Sequence, residues 1–122
     1  MVQYAEKRSS ITQYELGKMF QHGKEKSRDY GQAAKWYQQS AKHGYRRAQH
    51  LLGAMYAQGR GVARNYIKAY AWCKVSAAQH SKTALLKLKK IEPRMSREQV
   101  SIARKLSKQY YEMYVVPYAQ RK

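Results

Sequence analysis

The sequence predicts an all-α chain, an α-α superhelix (solenoid) of about three helix hairpins and six helices, with a capping C-terminal helix. Three observations carry this. The chain repeats itself at an offset of 36 residues. It is rich in Ala, Lys, Gln, Leu, Met and Arg, which form helices readily. It holds only two prolines, and strand-type alternation is scarce. A length of 122 residues fits one domain.

The repeat comes first, because a missed repeat misassigns the whole fold. Residues 12–44 read TQYELGKMFQHGKEKSRDYGQAAKWYQQSAKHG, and residues 48–80 read AQHLLGAMYAQGRGVARNYIKAYAWCKVSAAQH. Aligned, Leu16 meets Leu52, Gly17 meets Gly53, Met19 meets Met55 and Phe20 meets Tyr56. Gly23 then meets Gly59, Tyr30 meets Tyr66, Ala33 meets Ala69, Trp36 meets Trp72, and Ser40/Ala41 meet Ser76/Ala77.

Each block divides into two helices. The first, about 10–22 and 46–58, ends at Gly23 or Gly59, glycines suited to the left-handed conformation of a helix C-cap. Gly17 and Gly53 fall inside these helices, where glycine costs about 1 kcal/mol relative to alanine. Close approach of the partner helix is the expected return, since no Cβ stands in the way. The second helix, about 29–43 and 65–79, starts at Asp29 or Asn65 as N-cap. Ala33, Trp36/Tyr37 and Ser40/Ala41 recur along it at helical spacing and mark a buried stripe. Gly44 closes the first of these helices, and His80 stands where the second would have its glycine.

A third copy is worn. Ala48 maps to Ala84 and Leu52 to Leu88, giving a helix over about 82–91, with Lys89 in place of the glycine and Pro93 ending it. Ser96 with Gln99 has the spacing of a capping box. Val100, Ala103, Leu106/Ser107, Tyr110 and Tyr114 then form the stripe of a last helix to about residue 115, stopped by Pro117. Expected boundaries are an N-terminal polar segment 1–9, repeats at 10–44 and 45–80, a degenerate third unit with its cap at 81–115, and a tail at 116–122. A solenoid needs such an atypical last unit, because its outer face has no neighbour to cover it.

Charge narrows the partners. The net charge is +18, and between Asp29 and Glu92 there are twelve Lys and Arg and no acid. Such a field favours an acidic protein face, nucleic acid, anionic lipid or glycan. Cys73 is the only cysteine, so no internal disulfide forms. No apolar run is long enough to span a membrane. Residues 1–10 lack the apolar core of a signal peptide, so compartment stays open: a soluble chain, periplasmic or secreted if a signal was removed.

No enzyme class fits. His22, His43, His50 and His80 form neither an HxxxH pair nor a cluster with Cys73, so no metal or cofactor is expected. His22 and His43, each before a glycine, suit the negative end of a helix dipole. Cys73 beside Trp72 reads as a small buried thiol. The acids are too few and scattered for acid–base catalysis, and Glu98 reads as dipole compensation at a helix start. Trp36, Trp72, Tyr56 and Tyr66 fall on the internal stripe and read as core. Tyr110, Tyr111, Tyr114 and Tyr118 must partly cover the last hairpin, and the remainder could serve a partner or self-association.

The segment LGAMYAQGRGVARNYIKAYAWCKVSAAQ resembles the Sel-one-like repeat, a relative of the tetratricopeptide repeat with two helices per unit. The pattern is met by Leu52, Gly53, Tyr56, Gly59, Gly61, Val62, Ala69, Trp72, Ala77 and Ala78. MSREQVSIARKL from Met95 is similar to the helix that closes such arrays, and the resemblance covers about residues 11–110. In the first block Glu25 and Lys26 replace the family's Gly and Val, so that turn is expected to differ. The resemblance implies a protein–protein adaptor, often of bacterial envelope, signalling or host-interaction systems, and no reaction. Its geometry implies a concave face lined by Tyr14, Lys18 and Gln21, then Arg47, His50, Ala54 and Gln58, then Leu86 and Lys90. Arg47, with a planar fork that matches carboxylates, is the expected anchor for an acidic partner. A polyanion is the alternative ligand.

Overall fold

The structure, a computed structural model, describes residues 2–23 and 28–118, with the backbone alone for residues 2–8. Among these residues are six α-helices: α1 (Val2–His22), α2 (Tyr30–Lys42), α3 (Arg46–Gln58), α4 (Tyr66–Ala78), α5 (Lys82–Ile91) and α6 (Arg97–Tyr114). Single 3-10 turns at Glu92–Arg94 and Val116–Tyr118 flank α6. Helix α1 starts at Val2 rather than near residue 10, because nothing in VQYAEKRSS breaks a helix and Ser9/Ser10 simply continue it. Glu25 and Lys26, at the divergent first turn, lie outside the described residues.

Capping follows the sequence closely. The Asp29 carboxylate accepts from the Gln32 N–H at 3.0 Å, and the Asn65 side chain accepts from the Lys68 N–H at 3.0 Å. Ser81 caps α5, and Ser96 with Gln99 forms a reciprocal capping box on α6. Gly59 takes φ +69° at the end of α3. His80 takes φ +70°, the one described non-glycine residue in that region.

The two hairpins, α1 with α2 and α3 with α4, are held by the same bonds 36 residues apart. The Asp29 N–H donates to the Phe20 carbonyl, and the Asn65 N–H to the Tyr56 carbonyl, each at 2.9 Å. The Ser40 hydroxyl donates to the Ser10 carbonyl at 2.6 Å, and Ser76 to Arg46 at 2.8 Å. Serine recurs in an otherwise apolar stripe because it fastens the second helix to the backbone of the first. Between these two ties the helices approach at glycine. A Cβ on Gly17 would lie 2.6 Å from the Tyr37 ring, and one on Gly53 would lie 2.5 Å from the Cys73 sulfur. Stacking of the hairpins relies on Gly61 (φ +74°), whose Cα rests against the Tyr30 carbonyl and leaves no room for a Cβ.

The third unit pairs differently from the first two. Helix α5 packs on α4, but α6 turns away from α5 and lies along α4. The reason is aromatic: the buried Trp72 meets Tyr110 at 4.5 Å and Tyr114 at 5.6 Å between ring centroids. Tyr118 then sets its ring edge-on to His43 at 5.5 Å, beside Gly44. Most of the C-terminal tyrosine run is thereby engaged within the chain. Trp36, the counterpart of Trp72, is only half-buried.

Gly53→Ala should destabilise the chain by about 1–3 kcal/mol through overpacking, outweighing the gain of about 1 kcal/mol in helix propensity. Urea unfolding reads this out, and a stability equal to wild type would refute the close approach. His80→Gly should act oppositely, because a non-glycine left-handed residue costs about 1–2 kcal/mol. A melting temperature unchanged or lowered would count against strain at His80.

Candidate partner-binding groove

One position, followed through the three units, shows how the groove is made. Tyr14, His50 and Leu86 are equivalents at 36-residue spacing. Tyr14 is only 8% exposed, with Tyr45 at the start of α3 set edge-on to it at 5.1 Å and the Lys18 ammonium 5.5 Å above its ring. His50 is half-buried beneath Lys87 of α5, and Leu86 is 60% exposed. Tyr14 and His50 are each roofed by the first helix of the following unit and Leu86 is not, so the same position passes from core to surface along the array.

This corrects the expected lining. Tyr14 belongs to the core, because the aromatic Tyr45 from the next repeat closes over it. Gln21 is committed too, accepting from the hydroxyl of the fully buried Tyr37. Burial pushes the Tyr37 phenol well above its ordinary value, with the neighbouring Tyr14 and Glu15 adding to the effect. Arg47, Gln58 and Lys90 are exposed, while Lys18 and Ala54 are half-buried.

His50 is paired with a cation rather than being one. Its Nδ1 stands 3.0 Å from the Lys87 ammonium, which also donates to the His50 carbonyl at 3.4 Å. Burial first, then the charges of Lys87 and Arg47, hold the imidazole pKa down to about 4. The ring is therefore neutral near pH 7. Its Nδ1 accepts from the ammonium, which leaves the proton on Nε2 as a donor. Burial also lowers the Lys87 pKa. Lys87, which sequence reading missed, takes the register of Leu51, and the worn third copy gave no pattern to mark it. Cys73 nearby is fully buried, and burial pushes its thiol up to about 12, so it stays protonated and unreactive.

A second concavity, about 480 Å³, opens at the start of α6 and is lined by Met95, Arg97, Val100, Ser101, Arg104 and Lys105 with Glu92. Arg104 lies 3.7 Å from Glu92, both well exposed, and reaches the Tyr70 hydroxyl at 3.4 Å. Such an exposed pair contributes little to stability. Among the described residues no His/Cys/Asp/Glu group could hold a metal, and no helix is long and apolar enough to cross a membrane.

The depressed His50 pKa makes the unfolded chain bind more protons than the folded chain between about pH 6.5 and pH 4. Stability should therefore fall as pH drops through that window, and His50→Gln should flatten the fall. In an NMR titration His50 should protonate with a midpoint near 4, and Lys87→Met should raise that midpoint. A midpoint at the ordinary histidine value in wild type would contradict the burial.

The comparisons agree with this architecture. A family model described as Sel1 repeat matches residues 10–45 and 46–81. The crystal structure of c5321, a protective antigen present in uropathogenic Escherichia coli strains displaying an SLR fold, is similar at TM-score 0.83 and 30% identity. That match covers 93% of this chain and 26% of c5321. A Sel1 repeat protein from Oxalobacter formigenes is similar at TM-score 0.65 and 35% identity, over 67% of this chain and 24% of that one. The chain thus spans about a quarter of the length of these solved proteins. Comparison with curated proteins gives no match. Sel1 repeats generally mediate protein–protein interaction and are typically non-catalytic scaffolds. With both repeats matched, the hairpins tied alike and the solenoid shared with solved relatives, the chain belongs to the Sel1 repeat family.

Proposed function

We propose that the chain is a non-enzymatic interaction scaffold whose basic groove takes an acidic partner protein. One observation carries the reading. The stretch from Lys35 to Lys90 brings twelve cations and no acid, and among the described residues the one ion pair, Arg104 with Glu92, lies outside it. Arg47, Lys87 and Lys90 are therefore left without a counter-charge, on the first helices of the second and third units. Cations in this state speed encounter with an acidic surface and reject basic ones. A peptide entering there also meets apolar surface at Leu86 and Ala54.

A polyanion is the second reading, favoured by Arg97, Arg104 and Lys105 around the concavity at α6. Glu92 in the same wall weighs against it.

The two separate cleanly in one capture experiment on nuclease-treated cell extract at about 0.15 M salt, where charges beyond roughly 8 Å are screened. Wild type should retain a defined protein that Arg47→Glu with Lys90→Glu loses, with helical circular dichroism unchanged. If nuclease strips away what is bound, the scaffold reading fails. In that case affinity for duplex DNA should fall with salt at a log–log slope near −0.9 per phosphate neutralised.

A further inference from the structure

We propose that Arg47, His50 and Lys87 form a single site for one side-chain carboxylate of an acidic peptide segment, with Lys87 as its anchor. This rests on the scaffold reading and says where in the groove the partner is read.

The argument begins with what Lys87 lacks. Its ammonium is half-buried, with two hydrogen bonds, both to His50. An ammonium carries three N–H donors, so one is left over. A charge withdrawn from water without a counter-ion is costly, and such groups are ordinarily paired. No acid lies within reach in the sequence segment from Lys35 to Lys90, and the Cys73 thiol is protonated. The groups facing the ammonium are His50 from α3 and Cys73 from α4, and neither bears a negative charge. Among the described residues no acid pairs with this ammonium, and a carboxylate of a bound partner would supply the counter-charge.

Packing does not explain the lysine. The preceding unit has Leu51 at this register, also half-buried, so an apolar side chain suits the position. What lysine adds is the charge and the bond that sets His50. With Nδ1 accepting from Lys87, the imidazole presents Nε2–H as a second, neutral donor. Arg47, one turn earlier on α3 and exposed, contributes a third. Two cations and one neutral N–H donor match the lone pairs of a single carboxylate.

Depth decides between kinds of partner. A duplex presents phosphates on a broad surface and is met by rows of exposed cations. Lys87 is recessed, and the flanking Ala54 and Leu86 are apolar, which suits one acidic side chain on an extended peptide.

The test uses fluorescein-labelled hexaglutamate and an oligothymidylate of matched charge, each titrated by anisotropy at low salt. The protein is wild type, Lys87→Met or Lys74→Met, the last removing an exposed lysine of α4. Lys87→Met should weaken hexaglutamate about tenfold or more, and Lys74→Met less than about twofold. Circular dichroism checks that both variants fold. On adding peptide to wild type, the imidazole NMR signals of His50 should move while those of His22 and His80 stay. Equal losses for the two variants, or an unmoved His50, would sink the site and leave the scaffold reading standing. No binding of hexaglutamate to wild type would overturn both the site and the acidic partner. A Lys87→Met loss confined to oligothymidylate would overturn the choice of a peptide.

Discussion

Everything in this molecule depends on how closely two helices of a hairpin can approach. At Gly17 and Gly53 the second helix presses its Tyr37 or Cys73 side chain directly onto the first helix backbone. Glycine is a poor helix residue, so each hairpin gives up local stability for that contact. The ties above and below it then fall into place. Loop bonds from Asp29 and Asn65 close one end, and the Ser40 and Ser76 hydroxyls close the other. Because the spacing is the same in both hairpins, their edges match, and Gly61 can settle against the Tyr30 carbonyl of its neighbour.

Much of the fold could be read directly because its signals are local. Asp29, Asn65 and Ser96 each cap the helix they were expected to cap, since a cap is decided within a few residues. What escaped depended on distant partners. The helical stripe of α6 was plain, but periodicity does not name the surface a stripe will cover. Trp72 took it, leaving α5 without a hairpin mate. The start of α1 escaped for the opposite reason: the repeat marks where a unit begins, and nothing before it ends the helix.

The groove was legible in its charge and not in its detail. Tyr14 looked accessible by register, and the residue that buries it, Tyr45, lies in the next repeat. His50 was expected in the groove lining, and the residue that engages it and helps keep it neutral, Lys87, lies in the repeat after its own. Both details have one physical source. A side chain on the first helix of a unit is finished by a neighbour 30 to 40 residues further on, so its environment cannot be inferred from its own block.

That arrangement bears on how such arrays change. The Tyr14, His50 and Leu86 positions are each roofed, or left open, by the unit that follows. The unit that is duplicated or exchanged in the gene is one hairpin, whereas the unit that meets a ligand straddles two. Adding a further unit beyond α5 would change no residue of α5 and still give Leu86 a new environment. A repeat can therefore alter what its predecessor recognises without a single substitution in it. Recognition in a short solenoid of this kind is a property of the seams.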